Sequence, residues 1–224
     1  KSALVEVGGW AEWCITEDAE LGLRLFEAGY RAVYTEKSYG KGLMPDSFVA
    51  YRKQRYRWAY GAMQIMKTHW RELLPWGERK LTRAQRYQFV AGWLPWIADG
   101  FQLMFVALAI LWTAGMIVLP QFIEPPLTLF LIVTLGMFTF KVGKSLWLYT
   151  QRVPCSFVER LGASLAGLAL GHTVAKAVWR GAFTTNLPFM RTPKLENQPA
   201  FIRGLLAAWE ETLIAVLMVG FGVL

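Results

Sequence analysis

Apolar residues are distributed unevenly along this chain, which begins with a mixed polar third and continues as long apolar runs after about residue 89. The run at 100–119 contains no charged side chain across 20 positions. About 20 apolar residues are what a helix needs to cross a bilayer. The pattern predicts a water-facing unit at 1–88 and a membrane region at 89–224. Within the membrane region it predicts three spanning helices, at 100–119, 127–149 and 205–224.

The segment 156–183 has a different pattern, because its leucines and alanines are mixed with charged residues such as Glu159 and Arg180. This mixture predicts an interfacial helix along the cytoplasmic face, with a further full span as the alternative. In the last apolar run, Glu210 and Glu211 would lie about two turns inside the helix. Acids at that depth face a polar path or a partner; alternatively, the helix starts later.

The charges beside the predicted spans indicate their orientation. The link at 120–126 contains Glu124 and no basic residue, whereas basic residues flank the spans on their other sides. Because cytoplasmic loops are enriched in Lys and Arg, the link is predicted outside and the polar first third in the cytosol. The basic residues that contribute to the net charge of +8 flank apolar runs. They form no dense patch for nucleic acid, and they fit a membrane surface and a small anionic substrate.

The start of the chain and its few cysteines and histidines add little chemistry. The chain begins with Lys1 and lacks a signal-peptide pattern, so we interpret it as the C-terminal part of a longer protein. Cys14 and Cys155 lie far apart, which predicts neither a disulfide nor a metal site. His69 is predicted at the surface, and His172 is predicted to be packed on a face rich in Gly and Ala.

A first acidic motif follows a glycine-rich turn. The residues after it predict a helix from about Asp18 to Gly29, with Gly29 as its left-handed cap, and then a short strand at Arg31–Tyr34. The helix dipole would favour the ionised carboxylate of Asp18, which could accept a proton from a sugar hydroxyl. The alternative is that Asp18 only caps the helix.

A second motif lies on the next predicted helix, which Asp46 or Ser47 could cap. Four of its residues share one face because they are spaced i, i+3, i+4 and i+7: Gln54, Arg57, Trp58 and Gly61. A guanidinium can hold a diphosphate, an indole can stack on a sugar ring, and an amide can bond hydroxyls. An amphipathic helix on a membrane surface is the alternative.

Together these motifs resemble a known family. The T-E-D at 16–18 and the Q-R-Y-R-W at 54–58 resemble the TED and Q-x-x-R-W pair of family 2 processive glycosyltransferases, the cellulose synthase-like group. The loop at 187–194 is similar to the F-x-V-T-P gating loop of bacterial cellulose synthase, with Arg191 in place of Val. The sequence around the motifs is similar to that of bacterial inner-membrane glucosyltransferases that make periplasmic β-1,3-type glucans. The resemblance covers nearly the whole chain.

The resemblance implies an α/β fold class: the C-terminal piece of a GT-A nucleotide-diphospho-sugar transferase domain, followed by an α-helical transmembrane region. Lys1–Trp10 would supply an end strand of that domain. By the same resemblance, the donor half, with the ligands for Mg²⁺ or Mn²⁺, would precede Lys1. No D-x-D motif occurs in this chain. The fragment alone would be inactive.

The resemblance also implies a reaction. Glucose would pass from UDP-glucose to a growing β-glucan with inversion, and the polymer would cross the bacterial inner membrane through a multi-pass protein with its catalytic part in the cytoplasm. Asp18 would be the general base, while Thr16 and Glu17 would shape its pocket.

The remaining implied residues would bind the substrates. Arg57 would hold the nucleotide's diphosphate, Trp58 would stack beneath the acceptor sugar, and Gln54 would border the acceptor and donor sites. Phe189 and Thr192 would contact the nucleotide as their loop closes. No metal ligand is expected within the chain itself.

Two alternatives remain open. A sister synthase would use the same mechanism to make chitin, hyaluronan or cellulose, with another sugar or linkage. A transporter or channel fragment would carry acids or broken helices in matching halves of an inverted repeat, and the sequence shows no such repeat.

Overall fold

The computed structural model describes residues 1–40, 42, 45, 47–76, 80–126, 128–185, 206 and 208–223, the side chains of 222 and 223 excepted. Within these residues the regular structure consists of helices: α1 (Ser2–Glu6), α2 (Glu17–Glu27), α3 (Phe48–Thr68), α4 (Trp70–Leu73), α5 (Arg83–Val118), α6 (Thr128–Arg152), α7 (Phe157–Ala169), α8 (Gly171–Phe183) and α9 (Trp209–Val223). They form two compact units, a first unit of residues 1–102 and 172–207 and a second unit of residues 103–171 and 208–224.

The predicted α/β fold class is wrong for the residues described here, which contain no strand. A strand needs a neighbour to pair its backbone groups, and no described segment forms a strand beside Arg31–Tyr34, where Val33 is 92% exposed. Lys1–Trp10 contains α1 in place of the expected end strand, because a short helix satisfies its N–H groups locally, as in the bond from Val5 N–H to the Lys1 carbonyl.

Helix α2 begins and ends where local sequence chemistry directs. Its N-cap is Thr16, and its end is a Schellman motif in which the Tyr30 N–H bonds the Leu25 carbonyl and the Gly29 N–H bonds the Phe26 carbonyl. Gly29 has φ +86°, a left-handed conformation that glycine adopts without a Cβ penalty. The predicted helix and its glycine cap are confirmed.

Helix α3 is confirmed as one continuous element of 21 residues. Its N-cap is Ser47, whose hydroxyl accepts a hydrogen bond of 3.3 Å from the Ala50 N–H. The alternative cap, Asp46, lies outside the described residues.

The core of the first unit joins α2, α3, α4 and the start of α5. Leu23 of α2 and Ile65 of α3 are fully buried in it, and burying an aliphatic side chain of this size contributes about 1.5–3 kcal/mol. Phe89 and Trp93 of α5 pack against its edge, with the Phe89 ring centroid 6.1 Å from that of Phe26.

Helix α8 lies against α3 within the same unit. Gly181 permits this close packing, because a Cβ there would lie 2.8 Å from Met63 Cβ and 3.1 Å from the Tyr60 carbonyl oxygen. The hydroxyls of Tyr60 and Thr184 are 2.8 Å apart. Trp179 Nε1 donates to the Gly100 carbonyl at 2.9 Å, which joins α8 to α5.

Among the residues that the structure describes, three helical segments are long and apolar enough to cross a membrane: Arg83–Val118, Thr128–Arg152 and Phe157–Phe183. The first two contain most of the predicted spans 100–119 and 127–149, and the third is the segment predicted to be interfacial, here α7 followed by α8. Which of them crosses stays a prediction.

The last predicted span is described as α9, which begins at Trp209. Glu210 and Glu211 therefore lie in its first turn, as the alternative of a later helix start predicted. Carboxylates are favoured there by the helix dipole.

Candidate functional site

The acidic motif forms the first turn of α2. Thr16 occupies the N-cap without a side-chain cap bond, so Glu17 and Asp18 are the first two helical residues. Asp18 is therefore not the N-cap, contrary to the alternative that it only caps the helix. Its side chain is exposed, and Oδ1 accepts a hydrogen bond of 2.8 Å from the Ala19 N–H.

The polar face of α3 is partly exposed at Gln54 and Arg57 and exposed at Trp58. The guanidinium of Arg55 lies over the Trp58 ring at 4.5 Å from its centroid and over the Tyr51 ring at 4.9 Å. Such cation–π contacts hold an indole in place. One face of the Trp58 ring is therefore covered by Arg55.

The two motifs meet at Gly61. A Cβ on Gly61 would lie 2.6 Å from Thr16 Cγ2 and 2.9 Å from Thr16 Cβ, so only glycine permits this approach. Arg57 lies one turn earlier on the same helix, about 6 Å along its axis. The structure thus brings the T-E-D turn onto the helix face that carries the Q-x-x-R-W residues.

Gln64 holds this contact together and was missed by the sequence analysis. Its Oε1 accepts from the Ile15 N–H at 3.1 Å, and its Nε2 donates to the carbonyls of Trp13 and Thr185, both at 2.9 Å. Only 4% of Gln64 is exposed. The available signal was a lone amide in the apolar run A-M-Q-I-M, since a buried polar group must find partners.

The prediction of a surface histidine is wrong, because His69 is buried between two carboxylates. Its Nδ1 is 3.2 Å from Glu27 Oε1 and its Nε2 is 3.2 Å from Glu20 Oε1. Burial disfavours the imidazolium, but the hydrogen bonds and charges of Glu27 and Glu20 outweigh it and raise the pKa of His69. His172, predicted to be packed, is half-buried.

Glu20 joins this histidine to the start of the chain. Arg24 Nε donates to both Glu20 oxygens at 2.8 Å, and its NH2 donates to the Gly9 carbonyl at 2.7 Å. Glu20 is nearly fully buried, so these partners compensate its charge. Nearby, burial raises the pKa of the Cys14 thiol.

Glu27, His69 and Glu72 are the described residues whose ligand atoms lie close enough together, within 4.8 Å, to hold a metal ion. A histidine ligand must be neutral, whereas both nitrogens of His69 face carboxylates and its pKa is raised. Glu27 also lies roughly 13 Å along α2 from Asp18. The cluster therefore does not fit the cation of a nucleotide sugar.

An open cleft of about 410 Å³ lies beside these residues, between the Gly8–Trp13 segment and His69. Its lining contains none of the predicted site residues. Phe189 and Thr192, with the loop at 187–194, lie outside the described residues. The described chain before that loop ends at Thr185, which Gln64 holds against α3.

Comparison with known proteins gives a family match and relatives that are glycosyltransferases. The chain matches the family described as Glycosyl transferase family group 2 over residues 1–142. The cellulose synthase catalytic subunit (UDP-forming) of Xanthomonas axonopodis pv. citri (strain 306) is 42% identical over 67 residues, 30% of this chain and 9% of that protein. Its counterpart in Pseudomonas fluorescens (strain SBW25) is 38% identical over 82 residues, 35% of this chain and 11% of that protein.

A plant relative has a name that refers to a different sugar, mannose. The probable glucomannan 4-beta-mannosyltransferase 14 of Arabidopsis thaliana is 38% identical over 65 residues, 29% of this chain and 12% of that protein. No solved structure gives a significant match. The matched segments are about a tenth of these relatives' length, whereas the family match covers more than half of this chain. The chain therefore belongs to glycosyl transferase family group 2.

Proposed function

We propose that this chain is the acceptor-side part of an inverting, processive glycosyltransferase that adds glucose from UDP-glucose to a growing β-glucan. The carrying observation is the contact of Thr16 with Gly61, which joins the T-E-D turn to the helix of the Q-x-x-R-W motif. Family membership and the two cellulose synthase relatives support the same reaction class.

The central chemical step is assigned to Asp18. Its carboxylate, near the positive end of the α2 dipole, takes the proton from the acceptor hydroxyl. The hydroxyl oxygen then forms a bond to the anomeric carbon, the bond from that carbon to the diphosphate oxygen breaks, and UDP leaves with the electron pair. Attack opposite the leaving group inverts the configuration. Thr16 and Glu17 shape the pocket around Asp18.

The face of α3 supplies substrate binding. Arg57 holds the diphosphate, Gln54 borders the acceptor and donor sites, and Trp58 stacks on the acceptor sugar with the ring face that Arg55 leaves open. Phe189 and Thr192 are proposed to contact the nucleotide.

The divalent cation, Mg²⁺ or Mn²⁺, belongs outside the described residues, since their one candidate cluster does not fit it. When bound, such an ion neutralises charge on the diphosphate. The proposed roles of Asp18, Arg57 and Trp58 concern the acceptor and the leaving nucleotide, and none of them requires a bond to the ion.

A membrane location is part of the proposal. The three candidate helices support a multi-pass protein of a bacterial inner membrane, with the first unit on the cytoplasmic side and the polymer leaving through the bilayer. The family assignment argues against the transporter alternative.

The sugar is the open part of the specificity, and one observation favours a second candidate. The plant relative is named a mannosyltransferase, so a sister enzyme with a mannosyl donor is the alternative. The family motifs alone do not separate these donors.

The test uses the complete native protein that contains this chain, in membrane vesicles with radiolabelled UDP-glucose and magnesium. Wild type is expected to make polymer, and Asp18→Asn to lose at least about a hundredfold in rate, as removal of a general base does. Glu36→Gln, an exposed acid in the same unit, is the matched control. Equal polymer from wild type and Asp18→Asn would remove Asp18 from the mechanism; polymer only from GDP-mannose would favour the mannosyl alternative.

A further inference from the structure

The amide of Gln64 makes three hydrogen bonds to backbone atoms of two distant segments. One segment is Trp13–Ile15, which leads directly into the T-E-D turn, and the other is Thr185, at the end of the chain described after α8. A buried amide with all three bonds made fixes the positions of both segments relative to α3.

We propose that Gln64 is a positioning residue of the transfer reaction. It holds the backbone before the acidic turn on α3, and so sets the position of Asp18 relative to Arg57 and Trp58. This inference rests on the proposed function, in which Asp18 must reach the acceptor hydroxyl while that sugar lies against Trp58.

The placement of the contact explains why it matters for rate. Asp18 lies three residues after Ile15, on the first turn of α2, so a shift of the Trp13–Ile15 backbone moves its carboxylate directly. A displacement of about 1 Å at a reacting group costs up to about a hundredfold in rate. Gln64 itself is separated from Gln54 and Arg57 by about two to three turns of α3 and is not placed on the substrates.

The same amide links the acidic turn to the chain ahead of the loop at 187–194. Thr185 is also next to Thr184, whose carbonyl accepts from Lys67 Nζ at 2.7 Å and whose hydroxyl is 2.8 Å from that of Tyr60. Lys67 and Tyr60 therefore contact only the segment after α8, at Thr184, whereas Gln64 bonds both that segment and Trp13–Ile15. This difference supplies matched controls.

The experiment measures kcat and KM for UDP-glucose, and Kd for UDP, with the complete protein in vesicles. The variants are Gln64→Leu, which removes all three bonds, and Gln64→Glu, which keeps the shape and the acceptor for the Ile15 N–H but removes the two bonds donated to Trp13 and Thr185. Tyr60→Phe is the control, because Tyr60 is fully buried on the same helix and its hydroxyl contacts Thr184.

Both Gln64 variants are expected to lower kcat by about tenfold to a hundredfold, with KM and Kd within about twofold of wild type. Tyr60→Phe is expected to stay within about twofold in every constant. Unchanged kcat in the Gln64 variants would overturn the inference. So would a loss of kcat accompanied by an equal loss of UDP binding, which would mean that Gln64 only supports the fold.

Failure of the inference and failure of the proposed function give different results. A wild type that turns over UDP-glucose, with Gln64 variants equal to it, overturns the role of Gln64 alone. A wild type that turns over no nucleotide sugar overturns the proposed function, and this inference with it.

Discussion

The two units use the same apolar residue types in opposite ways. Among the described residues, buried apolar side chains lie in the first unit, with Leu170 as the exception. The buried charged and amide side chains, Glu20, His69 and Gln64, lie in the first unit as well. The second unit instead turns its large apolar side chains outward, and the apolar stretch of α6 has no buried residue.

Several hydroxyl groups in the second unit bond to atoms of the same helix or of the next one. The hydroxyls of four threonines donate to the carbonyl four residues earlier, at 2.8–2.9 Å: Thr113, Thr134, Thr150 and Thr212. Ser145 donates to Ser164 of the next helix at 3.1 Å. This arrangement suits a surrounding of lipid, which offers no hydrogen bonds. The first unit is stabilised by its buried core, whereas the second unit exposes the apolar side chains that a membrane helix would turn to lipid.

The buried charge of Glu20 gives the strongest test of the first unit. Glu20→Gln should destabilise it by about 3 kcal/mol, because Arg24 and His69 lose their shared counter-charge inside the protein. The measurement is proteolytic unfolding of the complete protein in detergent. Glu12→Gln is the exposed control and should change the stability by less than about 0.5 kcal/mol. Equal stability of the two variants would contradict a stabilising role for the contacts of Glu20 with Arg24 and His69.

An arginine on an exposed leucine tests the second unit. Leu108 is 56% exposed near the centre of the predicted span 100–119. Leu108→Arg should cost about 3 kcal/mol of membrane insertion, because a guanidinium is unfavourable at the middle of the bilayer. Insertion is measured by glycosylation mapping. Val33→Arg, at an exposed apolar position of the first unit, should leave folding and insertion unchanged; a harmless Leu108→Arg would contradict a lipid environment for α5.

The contact between the two motifs is tested by a single methyl group. Gly61→Ala should destabilise the first unit by about 1–3 kcal/mol, because the new Cβ overlaps Thr16. Gly22→Ala on α2, whose Cβ would meet nothing within 4 Å, should stabilise it by about 0.5–1 kcal/mol. Thermal unfolding and polymer synthesis are measured on both. The contact would be doubtful if both substitutions stabilised the protein.

The smallest expected effect is a pH dependence confined to the first unit. The raised pKa of His69 means that its ion pairs stabilise fully below the unfolded value, about 6.5, and are lost as pH rises through the folded value. Glu27 and Glu20 face the ring directly, with Glu72 and Arg24 beside them. Unfolding followed from pH 5.5 to 9 should show this loss in wild type, and His69→Gln should flatten it.

Local chemistry made several features predictable from the residues alone. The bounds of α2, the Ser47 cap of α3 and the left-handed Gly29 follow from capping and periodicity, which act within a few residues. The strand predictions were wrong because strand formation depends on contacts with distant residues. Arg31–Tyr34 has the residues of a strand, but a strand forms only beside a partner, and no described segment is one.

The sequence by itself determined the division into a polar unit and apolar helices, because burial and membrane insertion depend on side-chain type along the chain. It also determined the two motifs and hence the family. Only the tertiary structure decided that Thr16 meets Gly61, that Gln64 links Ile15 to Thr185, and that His69 is buried. These contacts join residues 42 to 121 positions apart, and such pairings depend on how helices pack in space, which no local pattern specifies.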